Sequence, residues 1–256
     1  MAAAVKLHRH VGRRRAERFL AEGPNLVEAA LRRGVVSEVF ATESAAQRFS
    51  ELLADADVHL VTERAAKALS DTVTPVGLVA VCRMPEVSLD DVLASSPQLV
   101  AVAVETSEPG NAGTLIRLAD AMGADAVILA GDSVDPYNGK CLRASAGSIF
   151  GVSVVEAPDI AGSIAALHGA GLTVLATALD GDVSLDDAEL SGPTAWLFGS
   201  EAHGLAPEVA ALADVRVTIP MAGSAESLNV AAAAAICLYQ SARAARSRPS
   251  SASRGG

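Results

Sequence analysis

The sequence is poor in aromatic residues: its 256 positions include one Trp, two Tyr and five Phe. Half of the residues are hydrophobic, so the core has to be aliphatic, built from Val, Leu, Ile and Ala. No apolar run approaches the roughly 20 residues that span a bilayer. The longest, VAAAAAICL at 230–238, predicts a buried helix. Charges spread through the first twenty residues argue against a signal peptide.

Cysteine and cofactor motifs are also scarce. Cys82, Cys141 and Cys237 stand alone, and they form neither a CxxC metal site nor an even-numbered disulfide framework. The patterns GxGxxG, GxxxxGK[ST], GxSxG and HExxH are missing, which disfavours NAD, ATP, serine-hydrolase and zinc chemistry. We therefore predict a soluble, reduced, cytoplasmic protein without a metal site.

The charge that is present is unevenly distributed. The net charge is −10, yet residues 1–33 hold eight Lys or Arg against three Glu, and residues 240–256 hold four Arg and no acid. A basic N-terminal segment attracts polyanions such as nucleic acid, while the acidic middle of the chain repels them. An equally good interpretation is a solubilising surface with basic ends, so charge alone leaves both open.

Hydrophobic patterning predicts an α/β protein with two domains. Residues 1–83 alternate short helical and β-branched segments, 84–97 form a polar linker, and 98–246 repeat the alternation more strongly. The tail, 247–256, is expected to be disordered. In the second domain we predict strands at 98–104, 126–130, 152–156, 172–177, 194–198 and 215–219, and helices near 112–122, 158–168, 205–212 and 226–246. Continuous apolar strands between helices indicate a parallel sheet that is covered on both faces.

Ligands of such sheets bind beyond the carboxyl ends of the strands, so the loops that follow strands are the candidate sites. The first is ETSEPGNAGTLIR at 105–117, which follows the apolar run LVAVAV. Helical spacing of Leu115, Leu118, Ala119 and Met122 turns Arg117 away from the core. Taken alone, Asn111 is equally compatible with a turn or helix cap, and Arg117 with a solvated helix arginine.

Two further loops follow predicted strands. In GSEAHG (199–204), Glu201 is suited to accept hydrogen bonds either from a ligand or from free backbone N–H groups. In the third loop, Ile219-Pro220-Met221 leads to a helix that opens with Ser227-Leu228-Asn229. A serine at that point is ordinarily a helix cap, so no single loop defines a function.

Together, EPGNAGTLIRLADAMG, LFGSEAHGL and IPMAGSAESLNVAAAAAI resemble the three ordered motifs of the SpoU (TrmH) family of RNA ribose 2′-O-methyltransferases, in the SPOUT class. The resemblance runs from about residue 98 to 240, and KCLRASAGSIFGVSVV is similar to the family's RAS-x-G segment. KLHRHVGRRRAERFLAEGPNLVEAAL is similar to the L30e-like RNA-binding domain that precedes many of these enzymes. Glu108, Ala202 and Ala231 depart mildly from the family's pattern.

The resemblance implies S-adenosylmethionine as methyl donor, a homodimer, and a deep trefoil knot in the C-terminal parallel-sheet domain. By motif position, the implied catalytic residues are Asn111, Arg117, Glu201, Ser227 and Asn229. The implied cofactor-binding residues are Thr177, Ala178, Leu179, Leu197, Gly199, Ser200, Ile219, Met221, Ser227 and Leu228. The expected RNA-binding residues are Lys6, Arg9, Arg13, Arg14, Arg15 and Arg143.

The resemblance also suggests a role for Arg117 and a substrate. The family's proposed proton acceptor is this arginine, but the pKa of a guanidinium exceeds about 12, so we favour an orienting and electrostatic role unless a phosphate relays the proton. The two-domain layout resembles the family's ribosomal RNA enzymes, including the thiostrepton-resistance type, which favours 23S ribosomal RNA. The alternatives are a tRNA guanosine, a non-catalytic RNA-binding protein with this fold, and an unrelated small-molecule α/β enzyme.

Overall fold

The computed structural model describes residues 1–247, which form two compact units. Unit 1 comprises Met1–Glu86 and Asp135–Gly151, and unit 2 comprises Val87–Val134 and the residues from Val152 onward. The predicted disordered tail, 247–256, lies outside the described residues except for Ser247. Among the described residues, no helix combines the length and the apolar character needed to cross a membrane.

Eleven strands and eleven α-helices occur along the described chain. The strands are β1 (Arg18–Glu22), β2 (Val36–Ala41), β3 (Val58–Leu60), β4 (Leu78–Arg83), β5 (Leu99–Val104), β6 (Ala126–Ala130), β7 (Ser153–Ala157), β8 (Thr173–Thr177), β9 (Val183–Ser184), β10 (Thr194–Phe198) and β11 (Val215–Thr218). The helices are α1 (Ala2–Val5), α2 (His10–Ala16), α3 (Pro24–Arg33), α4 (Glu43–Arg48), α5 (Glu63–Ala68), α6 (Leu89–Ala94), α7 (Pro109–Met122), α8 (Gly139–Ser145), α9 (Ile160–Gly169), α10 (Pro207–Ala210) and α11 (Val230–Arg246). Short 3₁₀ helices occupy Lys6–His8 and Ser148–Phe150.

Unit 1 has a four-stranded sheet in the order β1-β4-β2-β3, in which only β2 and β3 pair in parallel. Phe19 of β1 is fully buried, and its ring centroid lies 4.7 Å from that of Tyr137 and 6.0 Å from that of Phe150. These two rings belong to the segment 135–151, which the sequence-based division places in the second domain. The segment therefore contributes two aromatic rings to the core of unit 1 around Phe19.

Unit 2 is built on a seven-stranded sheet in the order β7-β6-β5-β10-β8-β11-β9, and every neighbouring pair is parallel. Every residue of β5, β6 and β10 is buried, as expected for a sheet covered on both faces. The parallel α/β fold is confirmed, and the six predicted strands agree with the structure to within one residue at each end. The edge strand β9 was not predicted. The trefoil knot implied by the resemblance stays a prediction.

Helix ends differ from the predicted positions where capping residues set them. Glu108 accepts a hydrogen bond from the Gly110 N–H at 3.1 Å, so α7 begins at residue 109 instead of 112. Asn229 caps α11, which begins at 230 instead of 226. The segment predicted as a linker, 84–97, contains α6, which starts with a reciprocal Ser88–Asp91 capping box and packs against the core of unit 2.

Candidate active site

Loops that follow β5, β10 and β11 meet at one edge of the unit 2 sheet, and three polar side chains join there. The side-chain amide nitrogen of Asn111 donates to Glu201 Oε1 at 3.0 Å. The side-chain amide nitrogen of Asn229 donates to Asn111 Oδ1 at 3.2 Å. The first pair is separated by 90 positions in the sequence and the second pair by 118, so distant parts of the sequence are in direct contact. We call Asn229, Asn111 and Glu201 the amide–carboxylate chain.

The donors and acceptors of the amide–carboxylate chain can be arranged in only one way, with each hydrogen bond directed from Asn229 toward Glu201. An ionised carboxylate can only accept, so Asn111 has to turn its amide nitrogen toward Glu201 and its oxygen toward Asn229. Asn229 then has to donate, which leaves its own oxygen to accept from the Ala231 N–H at 2.9 Å as the cap of α11. Each amide is therefore held in one orientation, and each keeps one further N–H for a ligand.

Glu201 also holds the backbone of the first loop. Its two carboxylate oxygens accept from the backbone N–H groups of Ser107 and Glu108, both at 3.4 Å. These groups lie just before α7, where the helix dipole favours a negative charge. The sequence allowed Glu201 to accept hydrogen bonds either from a ligand or from backbone N–H groups. In the structure it accepts from backbone N–H groups and from the Asn111 side chain. Sequence reasoning gave Ser107 and Glu108 no role in the site, because their contribution comes from the main chain.

Arg117 and Ser227 lie outside the amide–carboxylate chain. Arg117 follows Asn111 by six residues on α7, about 9 Å along the helix axis, and its side chain is exposed. Within residues 1–247 the guanidinium has no hydrogen-bond or ion-pair partner, so its charge is available to an anionic ligand. Ser227 is exposed in the loop that precedes α11.

Residues predicted to bind the cofactor lie at the ends of β8 and β10 and on the loops after β8, β10 and β11, which are adjacent strands. A Cβ at Gly199 would lie 2.1 Å from the Gly204 carbonyl carbon, so this turn requires a glycine. Ser200 and Gly204 exchange two backbone hydrogen bonds, of 3.0 and 2.9 Å, that close the turn. Thr177 donates its hydroxyl to the Leu197 carbonyl oxygen at 3.0 Å. The Ser200–Gly204 pair thus closes the turn, and the Thr177 hydroxyl links the end of β8 to that of β10.

The residues predicted to bind the cofactor differ in how exposed their side chains are. Leu197 is fully buried, so its side chain belongs to the core and only its backbone can face the loops. By contrast, Leu179 is 68% exposed, and Met221 and Leu228 are each 37% exposed. Three exposed apolar side chains on adjacent loops suit an apolar ligand surface. Ala178 and Ile219 are half-buried beside them.

The basic residues of unit 1 are not equivalent. Lys6, Arg9, Arg14 and Arg15 are exposed. Arg13 is only 4% exposed, and it donates to Asp135 at 2.8 and 2.5 Å and to the carbonyl oxygens of Leu7 and His8 at 2.9 Å. These hydrogen bonds use the donors of Arg13 inside the unit, and its predicted RNA contact stays a prediction. Arg143 is exposed, and one of its terminal guanidinium nitrogens lies 3.9 Å from Glu22 Oε2.

Two sequence profiles match the chain. The profile of the SpoU rRNA Methylase family matches residues 98–239, more than half of the chain and all three loops described above. The profile of the MRM3-like substrate binding domain matches residues 2–80, which lie in unit 1.

Individual proteins match along most of their length. The chain is 36% identical to the 23S rRNA (guanosine(2553)-2′-O)-methyltransferase RlmP of Bacillus subtilis, over 91% of this chain and 92% of that protein. It is 38% identical to a 23S rRNA (uridine(2479)-2′-O)-methyltransferase of Streptomyces viridochromogenes, over 66% of this chain and 61% of that protein. Among solved structures, AviRb from Streptomyces viridochromogenes in complex with AdoMet matches with a TM-score of 0.86 and 32% identity, covering 96% of this chain and 97% of that one.

Proposed function

The chain belongs to the SpoU rRNA methylase family, and from this membership we propose that it methylates a ribose 2′-hydroxyl of 23S ribosomal RNA with S-adenosylmethionine as methyl donor. The observation that carries the proposal is the amide–carboxylate chain. It joins the loops of all three motifs at the carboxyl edge of the parallel sheet, where α/β folds bind their ligands. Because ribosomal RNA is the substrate, a cytoplasmic location is part of the proposal.

The loops after β8, β10 and β11 fit S-adenosylmethionine. The turn closed by Ser200 and Gly204 brings main chain within reach of a ligand, and the exposed side chains of Leu179, Met221 and Leu228 would offer apolar surface to its adenosine and methionine parts. By motif position, we assign the remaining contacts to Thr177, Ala178, Leu197, Ser200, Ile219 and Ser227. When bound, the cofactor supplies a methyl group that is already activated on a positively charged sulfur.

The protein's own part is alignment and help with the proton. Holding a ribose 2′-oxygen in line with the methyl group accounts for about 7–11 kcal/mol of barrier reduction. The free N–H groups of Asn111 and Asn229 have fixed directions and can bind sugar or phosphate oxygens. Glu201 fixes the first of these amides. Preorganised donors of this kind need no rearrangement during the reaction.

Arg117 orients the substrate through its charge. A guanidinium carries N–H donors and no acceptor, so Arg117 binds a phosphate oxygen pair bidentately and does not take the 2′-proton itself. A bound phosphate oxygen beside the ribose is the group that can relay this proton. Single-turnover methylation by Arg117→Ala and Arg117→Lys tests the role: Lys should recover only part of the rate, and near wild-type rates in both would remove Arg117 from the chemistry.

Unit 1 recognises the RNA. Its match to a substrate-binding domain and its exposed Lys6, Arg9, Arg14 and Arg15 support shape and phosphate contacts to a structured element. The relatives act, by their names, on a guanosine and on a uridine of 23S rRNA. The longer match, over 91% of the chain, favours the guanosine.

A second copy of the chain completes the assembly. Ile236 and Tyr239 lie on one face of α11 and are 38% and 49% exposed, so the helix presents apolar surface to solvent beside the Arg246 guanidinium, which lies 5.9 Å from the Tyr239 ring centroid. A homodimer buries this face. Tyr239→Glu should shift the mass measured by light scattering from dimer to monomer, and an unchanged mass would place the dimer contact elsewhere.

Substrate class is tested by incubating the full chain with labelled S-adenosylmethionine and transcripts of 23S rRNA or tRNA. We expect label in 23S rRNA alone. Label confined to tRNA would show that tRNA, and not 23S rRNA, is the substrate. Failure to bind the cofactor in calorimetry would indicate a non-catalytic RNA-binding protein.

A further inference from the structure

The chain that leaves β8 crosses β11 before it forms the edge strand β9. Because β9 pairs with β11 on the side opposite β8, residues 178–182 have to pass over the β11 backbone. Gly181 marks the crossing: a Cβ there would lie 2.5 Å from the Thr218 amide nitrogen and 2.6 Å from the Val217 carbonyl carbon. Only glycine, which has no side chain, allows this separation.

Arg216 of β11 holds both residues that flank this glycine. Its Nε and one terminal nitrogen donate to the two carboxylate oxygens of Asp182 at 3.1 and 2.8 Å. The other terminal nitrogen donates to Asp180 Oδ1 at 3.4 Å. The hydrogen bonds with Arg216 lower the pKa of the Asp182 carboxyl, and those with Asp182 raise the pKa of the guanidinium. We call Asp180, Asp182 and Arg216 the crossing clasp.

The crossing clasp adjoins the cofactor wall formed by Thr177–Leu179. The Ala178 N–H donates to the Val217 carbonyl oxygen at 2.9 Å, and the Thr218 hydroxyl donates to the Leu179 carbonyl oxygen at 3.0 Å. The Leu179 side chain itself is 68% exposed, so core packing does not hold it in place. The position of the wall therefore depends on how firmly the crossing segment is attached to β11.

We propose that Arg216 is a positioning residue for S-adenosylmethionine, which pins the crossing segment on β11 and keeps the Thr177–Leu179 wall in the shape that receives the cofactor. This inference rests on the proposed function. Without Arg216, two aspartates separated by one glycine repel each other, and the segment occupies additional conformations. Only the fraction in the binding shape takes up the cofactor, and the apparent Kd rises by the inverse of that fraction.

Calorimetric titration of the full chain with S-adenosylmethionine tests the role. For Arg216→Ala we expect the Kd to rise about two- to fivefold, the range that corresponds to the measured strengths of exposed ion pairs. Arg216→Lys should recover only part of the affinity, because an ammonium cannot bind both oxygens of Asp182 in the same plane. Arg32→Ala is the matched control, since Arg32 forms an exposed ion pair with Glu28 in unit 1, and its Kd should equal that of the wild type.

Kinetics separate positioning from a purely structural role. The KM for the cofactor should rise in Arg216→Ala while kcat and the KM for RNA stay unchanged. Added salt should raise the Kd of the wild type toward that of the variant, because an exposed clasp is screened. If the wild type binds and Arg216→Ala binds equally well, the inference is overturned. If the wild type does not bind, the proposed function itself fails. Should Arg216→Ala not fold, Asp182→Asn weakens the same clasp and must show the same rise.

Discussion

Replacing the buried Arg13 by alanine should destabilise unit 1 without acting directly on RNA binding. The Arg13 side chain is 5% exposed and that of Asp135 is 9% exposed. The guanidinium makes two hydrogen bonds to Asp135 and two to the carbonyl oxygens of Leu7 and His8. Its removal leaves a buried carboxylate without its cation. Breaking one partner of such a pair costs about 3–5 kcal/mol, a large share of the roughly 5–15 kcal/mol that stabilises a typical protein.

Hydrogen exchange monitored by mass spectrometry locates this loss. Peptides from β1 and β4 of unit 1 should exchange faster in Arg13→Ala, while those from β5 and β10 of unit 2 keep the wild-type rate. Trp196, the one tryptophan of the chain, lies in unit 2, so its fluorescence reports the urea unfolding of that unit separately.

Arg15→Ala provides the matched control, since Arg15 is exposed on the same helix. Its unfolding free energy should change by no more than about 0.5 kcal/mol. Its RNA affinity should fall, with a loss of about one in the slope of log K against log salt. If Arg13→Ala exchanged like the wild type and lowered RNA affinity as Arg15→Ala does, the reasoning from burial would be refuted.

Three further outcomes follow from the structure. Asn111→Asp places a second carboxylate against that of Glu201 and removes the amide donor. Single-turnover methylation should therefore fall roughly 10²- to 10³-fold, and an unchanged rate would exclude a donor role for Asn111. Thr106 is 2% exposed and its hydroxyl has no partner within residues 1–247; Thr106→Val should raise the unfolding free energy by about 1 kcal/mol in urea titrations, and a lower value would indicate that the hydroxyl is in use. Burial raises the pKa of each thiol to about 12, so alkylation at pH 8 should modify the urea-unfolded chain but leave the folded chain unlabelled at Cys82, Cys141 and Cys237; labelling of the folded chain would contradict this.

The strands of the parallel sheet could be predicted because each is marked by the residues of its own segment. LVAVAV, AVILA and TAWLF are apolar throughout, and in the structure β5, β6 and β10 are buried on both faces. The loops that follow such strands were therefore identifiable. The order of the strands was not, because it depends on pairing between segments far apart, such as β5 with β10.

The missed features depend on distant partners or on capping. Arg13 belongs to an Arg-Arg-Arg run that reads as exposed charge, and its partner Asp135 is 122 residues away. The aromatic residues of 135–151 show no local sign that they pack on β1. A local signal for α6 did exist, since Ser88 and Asp91 have the spacing of a capping box. Arg216 has no local motif, because its role arises where a distant segment crosses β11.

Methyl transfer to a ribose oxygen is the central claim, and one measurement tests it directly. The wild-type chain is incubated with labelled S-adenosylmethionine and 23S rRNA transcript, the RNA is digested, and the nucleosides are identified by mass spectrometry. The account predicts one 2′-O-methylated nucleoside, formed far more slowly with Asn111→Asp. A label on a base, or no label although the cofactor binds, would contradict it.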